Sequence, residues 1–121
     1  SSHGLRSYPL MKHLLWLCVF AIPAMSEIPW KPETIADAIY RAEGGSKTRW
    51  PYGVKSVKTN GEAHARRVCL NTIDRAAGEW KIHGRVRHGC FIKYLSLRYC
   101  PPSLDPDGNR NWVKNVLWFL R

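Results

Sequence analysis

Acidic residues are scarce in this chain: nine Asp and Glu stand against 19 Lys and Arg, a formal net charge of +10 over 121 residues. A hydrolase that works with two adjacent carboxylates would have to recruit its second one from a distant part of the fold, because no local pair is on offer. Asp74 and Glu79 fall on the polar side of a long helical pattern, Asp105 and Asp107 read as turn formers, and Glu62 reads as a first-turn residue that suits its helix dipole. Cysteine is limited too. Four are present, none in a Cys-x-x-Cys pair, and their spacings from His64, His83 and His88 fit no standard zinc arrangement, so neither a metal nor another cofactor is expected. No local nucleophile motif announces a Ser-His-Asp or Cys-His centre. Long apolar runs are missing as well: the one over residues 14–22 is too short to span a bilayer, which excludes a transmembrane anchor there.

That short run has another reading. Residues 1–10 look like a vector-derived remnant, after which Met11 and Lys12 form a basic start, residues 14–22 an apolar stretch, and Ala24-Met25-Ser26 a small-x-small site. Together these predict a signal peptide over 11–26, cleaved after Ser26, and a single exported domain over 27–121, periplasmic or secreted. A lipoprotein site at Cys18 is disfavoured by the bulky Leu17. All but two of the basic residues and all nine acidic ones lie after residue 26, so the positive charge belongs to the domain and favours an anionic partner. Cys69, Cys90 and Cys100 also lie there, enough for one expected disulfide and one unpaired thiol. Cys90, near His88, fits a disulfide better than a nucleophile in an exported protein.

The periodicity predicts four helices. Pro32 can occupy a first helical turn, and Ile35, Ile39 and Ala42 repeat at three and four along a short amphipathic helix ending near Glu43, where Gly44-Gly45 stops it. Residues 62–83 form the strongest pattern, with Ala65, Val68, Cys69, Thr72, Ile73, Ala76 and Trp80 on one stripe and Gly84 as the stop. A third helix runs from Cys90 to about Tyr99, before Pro101-Pro102. A turn at residues 105–108 precedes a last helix, capped by Asn109 or Asn111, whose Val113, Val116, Leu117 and Leu120 face inward. Between the first two helices, the alternation over 55–58 and the Thr59-Asn60-Gly61 turn predict a small β-hairpin or extended scrap. The expected class is therefore mainly α, about four helices with one small extended segment.

Glu43 is the acidic residue set beside an apolar helical face, a glycine opening and an aromatic loop at once, which is where general acid chemistry asks for a carboxyl group. The plainer reading is a last-turn Glu leaning into water. Ile39-Tyr40-Arg41-Ala42-Glu43-Gly44-Gly45, followed by Tyr52-Gly53-Val54, a long Ala-rich helix and Leu97-Arg98-Tyr99, resembles the catalytic core of lysozyme-like lytic transglycosylases over about residues 34–120. The pattern departs from that family in Glu43-Gly44 where Glu-Ser is usual, in Gly53-Val54-Lys55-Ser56 where Gly-Leu-Met-Gln is usual, and in lacking the Ala-Tyr-Asn-Ala-Gly run.

The resemblance implies a lysozyme-like fold and a peptidoglycan substrate cut at the MurNAc-GlcNAc bond by a single catalytic Glu43. Tyr99 is the implied supporting hydroxyl, Tyr52, Gly53, Val54 and Ser56 the implied groove lining, and Trp50 a platform for a sugar face. It also implies an acid that becomes a base and closes a 1,6-anhydro ring, so that one carboxylate suffices. The alternative expectation is a non-catalytic module that binds wall glycan, or a wall or secretion partner protein. A basic cluster at Lys81, Arg85, Arg87, His88 and Lys93 offers the charge for nucleic acid, but no reader motif accompanies it and no nucleic acid is expected.

Overall fold

A computed structural model describes residues 28–55, 57–84 and 88–121. The remnant and export segment expected over 1–26, together with Ser56, Arg85 and Arg87, lie outside the described residues.

Among the described residues four α-helices follow one another: α1 Pro32–Ala42, α2 Glu62–Glu79, α3 Phe91–Tyr99 and α4 Pro106–Leu120. Pro32 opens α1 after an extended Lys31, Glu33 sits in its first turn, and Ile35, Ala36, Ala38 and Ile39 are buried. The fixed φ of proline is already helical there, and its missing N–H is one the first turn leaves unpaired anyway. In α2, Ala65, Cys69, Ile73 and Ala76 form the buried stripe. The helix then widens into a π-helical turn, Trp80–Gly84, whose Trp80 is buried edge-on against Phe91 with ring centroids 5.8 Å apart. A side chain at Gly84 would lie 2.6 Å from the Trp80 ring and 2.7 Å from that of Tyr94, so close packing as well as helix termination holds glycine at this position.

α1 packs chiefly against α4 and also against α2, and α3 closes the bundle against α4. Phe91, Ile92 and Leu95 of α3 and Trp112, Val113, Val116 and Leu120 of α4 complete the core. Two side chains lock α3 to α4. Asn109 Nδ2 donates to Ser96 Oγ at 2.9 Å and to the Cys100 carbonyl at 2.7 Å, bridging the start of α4 to the end of α3. Asn109 is therefore not the α4 cap. Asp105 holds that place, its Oδ1 accepting from the Gly108 N–H at 2.9 Å, and the expected surface turn at 105–108 is the first turn of the helix.

The expected hairpin does not form. Among the described residues there is no strand, and the fold is a four-helix bundle in place of the lysozyme-like arrangement of helices with a small β element. Val54 and Val57 lie three apart, so an extended chain sends them to opposite sides: Val54 is 9% exposed and Val57 48%. One buried apolar residue cannot hold two strands together. The turn signal at residue 60 is used differently, its N–H donating to His64 Nδ1 at 2.8 Å at the start of α2.

Among the described residues the expected disulfide is absent too: Cys69, Cys90 and Cys100 are free thiols. Cys90 and Cys100 flank α3, and its nine residues hold them about 13 Å or more apart at roughly 1.5 Å per residue, beyond the reach of an S–S bridge. Cys69 is turned into the core against Tyr99.

Candidate functional site

Glu43 is the residue that ends α1. Its own N–H still donates to the Ile39 carbonyl, while Gly44 and Gly45 take φ values of 99° and 59° and turn the chain away through a short 3-10 turn, Gly45–Lys47. The helix thereby leaves its final side chain half-buried at the edge of the α1–α4 contact. Oε1 accepts a hydrogen bond from the Trp112 indole N–H at 2.9 Å. No other donor among the described residues reaches this carboxylate.

Gly53 forms the roof. The loop turns back through a hydrogen bond from the Gly53 N–H to the Trp50 carbonyl at 2.9 Å, and Gly53 sits at φ 66°. A Cβ here would stand 2.8 Å from Glu43 Oε1 and 3.2 Å from the Tyr99 ring. Only glycine lets the loop lie so close to both. Tyr99 stacks on Trp112, with centroids 5.0 Å apart and planes 14° from parallel. The structure thus brings Glu43, Gly53 and Tyr99 together and adds Trp112, which the sequence reading passed over. The four-residue spacing of Trp112, Val116 and Leu120 marked it as core, and a buried indole needs an acceptor for its N–H.

The tyrosine hydroxyls are not aimed at Glu43. The Tyr99 hydroxyl donates to Cys69 Sγ at 3.3 Å. Burial pushes the Tyr99 hydroxyl well above its usual range, reinforced by the neighbouring Cys69 and Glu43. Burial likewise pushes the Cys69 thiol up to about 11, partly offset by the Tyr99 hydrogen bond. Tyr52 is 4% exposed, and its hydroxyl accepts from Arg66 at 3.3 Å while its ring lies 5.1 Å from that of Tyr40. Arg66 is anchored in turn by Asp37 at 2.7 Å, which ties the loop to both α1 and α2. Tyr52 and Val54 are core residues that fix the path of Gly53.

Trp50 is the exposed aromatic of the loop, at 40%. The Arg49 guanidinium and the Lys55 ammonium lie 5.4 Å and 5.5 Å from its ring centroid, forming a cationic aromatic surface next to the Gly53 turn. Ser56 lies outside the described residues. Among the described residues, one groove of about 590 Å³ lies beside Trp30, Ile73 and Phe91, and another of about 580 Å³ lies between α3 and α4. Neither is lined by Glu43.

Among the described residues no group of His, Cys, Asp and Glu is placed to hold a metal ion, and no helix is long and apolar enough to cross a membrane. Comparison with protein-family models, with curated proteins and with solved structures yields no match for this chain. The chemistry of the site must therefore be argued from Glu43 and its surroundings. They comprise one carboxyl group with one fixed donor, aromatic carbon from Tyr99 and Trp112, a glycine packed close against its Oε1, and a cationic tryptophan platform on the same loop.

Proposed function

We propose that this chain is an exported glycan-cleaving protein that acts on peptidoglycan by lytic transglycosylation, with Glu43 as its single acid and base. The observation that carries the reading is the Glu43 carboxylate, fixed through one oxygen by Trp112 and roofed by a side-chain-free Gly53. In this reaction Glu43 gives its proton to the glycosidic oxygen as the C1–O bond of N-acetylmuramic acid breaks. The N-acetyl carbonyl of the same sugar stabilises the electron-poor C1. The Glu43 carboxylate then takes the proton of the C6 hydroxyl, whose oxygen closes on C1 as the 1,6-anhydro ring. Proton and electron pairs balance without water or a second carboxylate, which suits a site where one carboxylate stands alone. The Trp112 hydrogen bond holds the carboxylate through both transfers, and Trp50 with Arg49 and Lys55 supplies a stacking face suited to an anionic wall polymer.

A second reading keeps the glycan and drops the cleavage. It is favoured by the tyrosine hydroxyls, both of which are committed to protein partners, and by the position of the large grooves away from Glu43. Incubating purified wall with the protein and with Glu43→Gln separates the two. Catalysis predicts that the variant still sediments with the wall but releases no soluble muropeptides, whereas equal behaviour of both proteins, with no release by either, leaves glycan binding.

A further inference from the structure

The groove between α3 and α4 lies on a part of the bundle that the Glu43 site does not use. Its apolar floor comes from Leu97, Val113 and Leu117, and its rim from Lys93, Arg110 and Lys114, with a volume of about 580 Å³. No acidic residue among the described ones lines it. Arg110 pairs with Asp107, but Lys93 on α3 and Lys114 on α4 make no ion pair among the described residues, so each helix offers a cation to the opening. The volume falls within the roughly 300–1,000 Å³ of small-molecule sites.

From this pairing of floor and rim we infer that the groove binds a single-chain amphiphile with an anionic head, a free fatty acid. The chain replaces water over Leu97, Val113 and Leu117, and the carboxylate sits between the two lysines. An apolar ligand without charge would forgo the rim, and a small anion without a chain would leave the floor wet. A cleft between two helices admits one chain, whereas a bilayer needs a broad apolar face. The site is independent of Glu43, and its failure leaves the glycan reading untouched.

The test is calorimetric titration of the full 121-residue chain with dodecanoate below its micelle concentration, beside dodecyl maltoside and dodecyltrimethylammonium as neutral and cationic chains of equal length. The expected result is one dodecanoate per protein, with the other two at least tenfold weaker. Lys93→Glu with Lys114→Glu, both at exposed positions, should weaken dodecanoate at least tenfold and leave the helical circular dichroism unchanged. Arg67→Glu with Arg75→Glu, an equal charge reversal off the groove, should leave binding within about twofold. Equal binding of the three amphiphiles, several chains per protein, or equal losses from the two double variants would overturn the proposal. So would binding to anionic vesicles without binding to dissolved dodecanoate, or occupation of the groove by a second copy, seen as a dimer that dodecanoate does not dissociate.

Discussion

The Trp112 indole N–H donates to Glu43 Oε1 at 2.9 Å across 69 positions of sequence, joining the last helix to the end of the first. The same tryptophan stacks on Tyr99 and so carries three helices into one contact. The carboxylate is held by the packing of the bundle, and its position follows from the core.

Trp112→Phe keeps an aromatic ring against Tyr99 and removes the donor. Losing a hydrogen bond to a charged group should cost about 1–3 kcal/mol of stability, read as a lower midpoint of urea unfolding. A loosened carboxylate should also slow wall cleavage roughly tenfold or more, with binding to wall little changed. A variant that unfolds at the wild-type midpoint would remove the bond from the stability of the fold.

Gly53→Ala tests the roof. The new methyl would meet Glu43 Oε1 at 2.8 Å, and the position has φ 66°, so both sterics and backbone oppose it. A loss of about 1–3 kcal/mol is expected from the backbone conformation, together with displacement of the carboxylate and loss of muropeptide release. Gly61→Ala, at φ 86° with open space around it, is the matched control: it should lose stability without losing activity.

Tyr99→Phe should be mild. Its hydroxyl serves Cys69 and its ring serves Trp112, so removing the oxygen leaves the stack over the site intact. Muropeptide release within about threefold of wild type is expected, since only a buried neutral hydrogen bond worth about 1 kcal/mol is lost. A much larger fall would give that hydroxyl a direct part in the reaction.

The Cys69 thiol supplies a pH dependence of known sign. Its folded value of about 11 lies above its ordinary 9.0, so the folded protein holds a proton that the unfolded chain releases first. Stability is then fully present below about pH 9 and is lost progressively up to about pH 11, by an amount on the order of 2–3 kcal/mol. Cys69→Ala should reduce that slope in urea unfolding series, most clearly between about pH 9 and pH 10, below the ordinary range of the raised Tyr99 hydroxyl. Alkylation of the native protein at pH 8 should mark Cys90 and Cys100 well before Cys69.

The helices were legible because each has an apolar spacing and a stop: Pro32 and Gly44 bound the first, and Gly84 ends the second where its π-turn ends. Glu43 was legible for the same reason, as the last side chain before two glycines. The hairpin does not form because a short alternation with Val54 as its one buried apolar residue cannot hold two strands together, and the Asn60 turn signal belongs to the start of α2. The disulfide was read from the presumed compartment, whereas the length of α3 and the burial of Cys69 keep the thiols apart. Trp112 was hidden by distance. Local spacing marks it as core, and nothing near residue 112 tells of an acceptor at residue 43.

Mass analysis of the soluble products released from intact peptidoglycan by the purified protein tests the Glu43 chemistry most directly. Muropeptides ending in 1,6-anhydro-N-acetylmuramic acid, absent when Glu43→Gln is used, are the predicted result. Release that continues unchanged in Glu43→Gln, or no release by the wild-type protein, would contradict it.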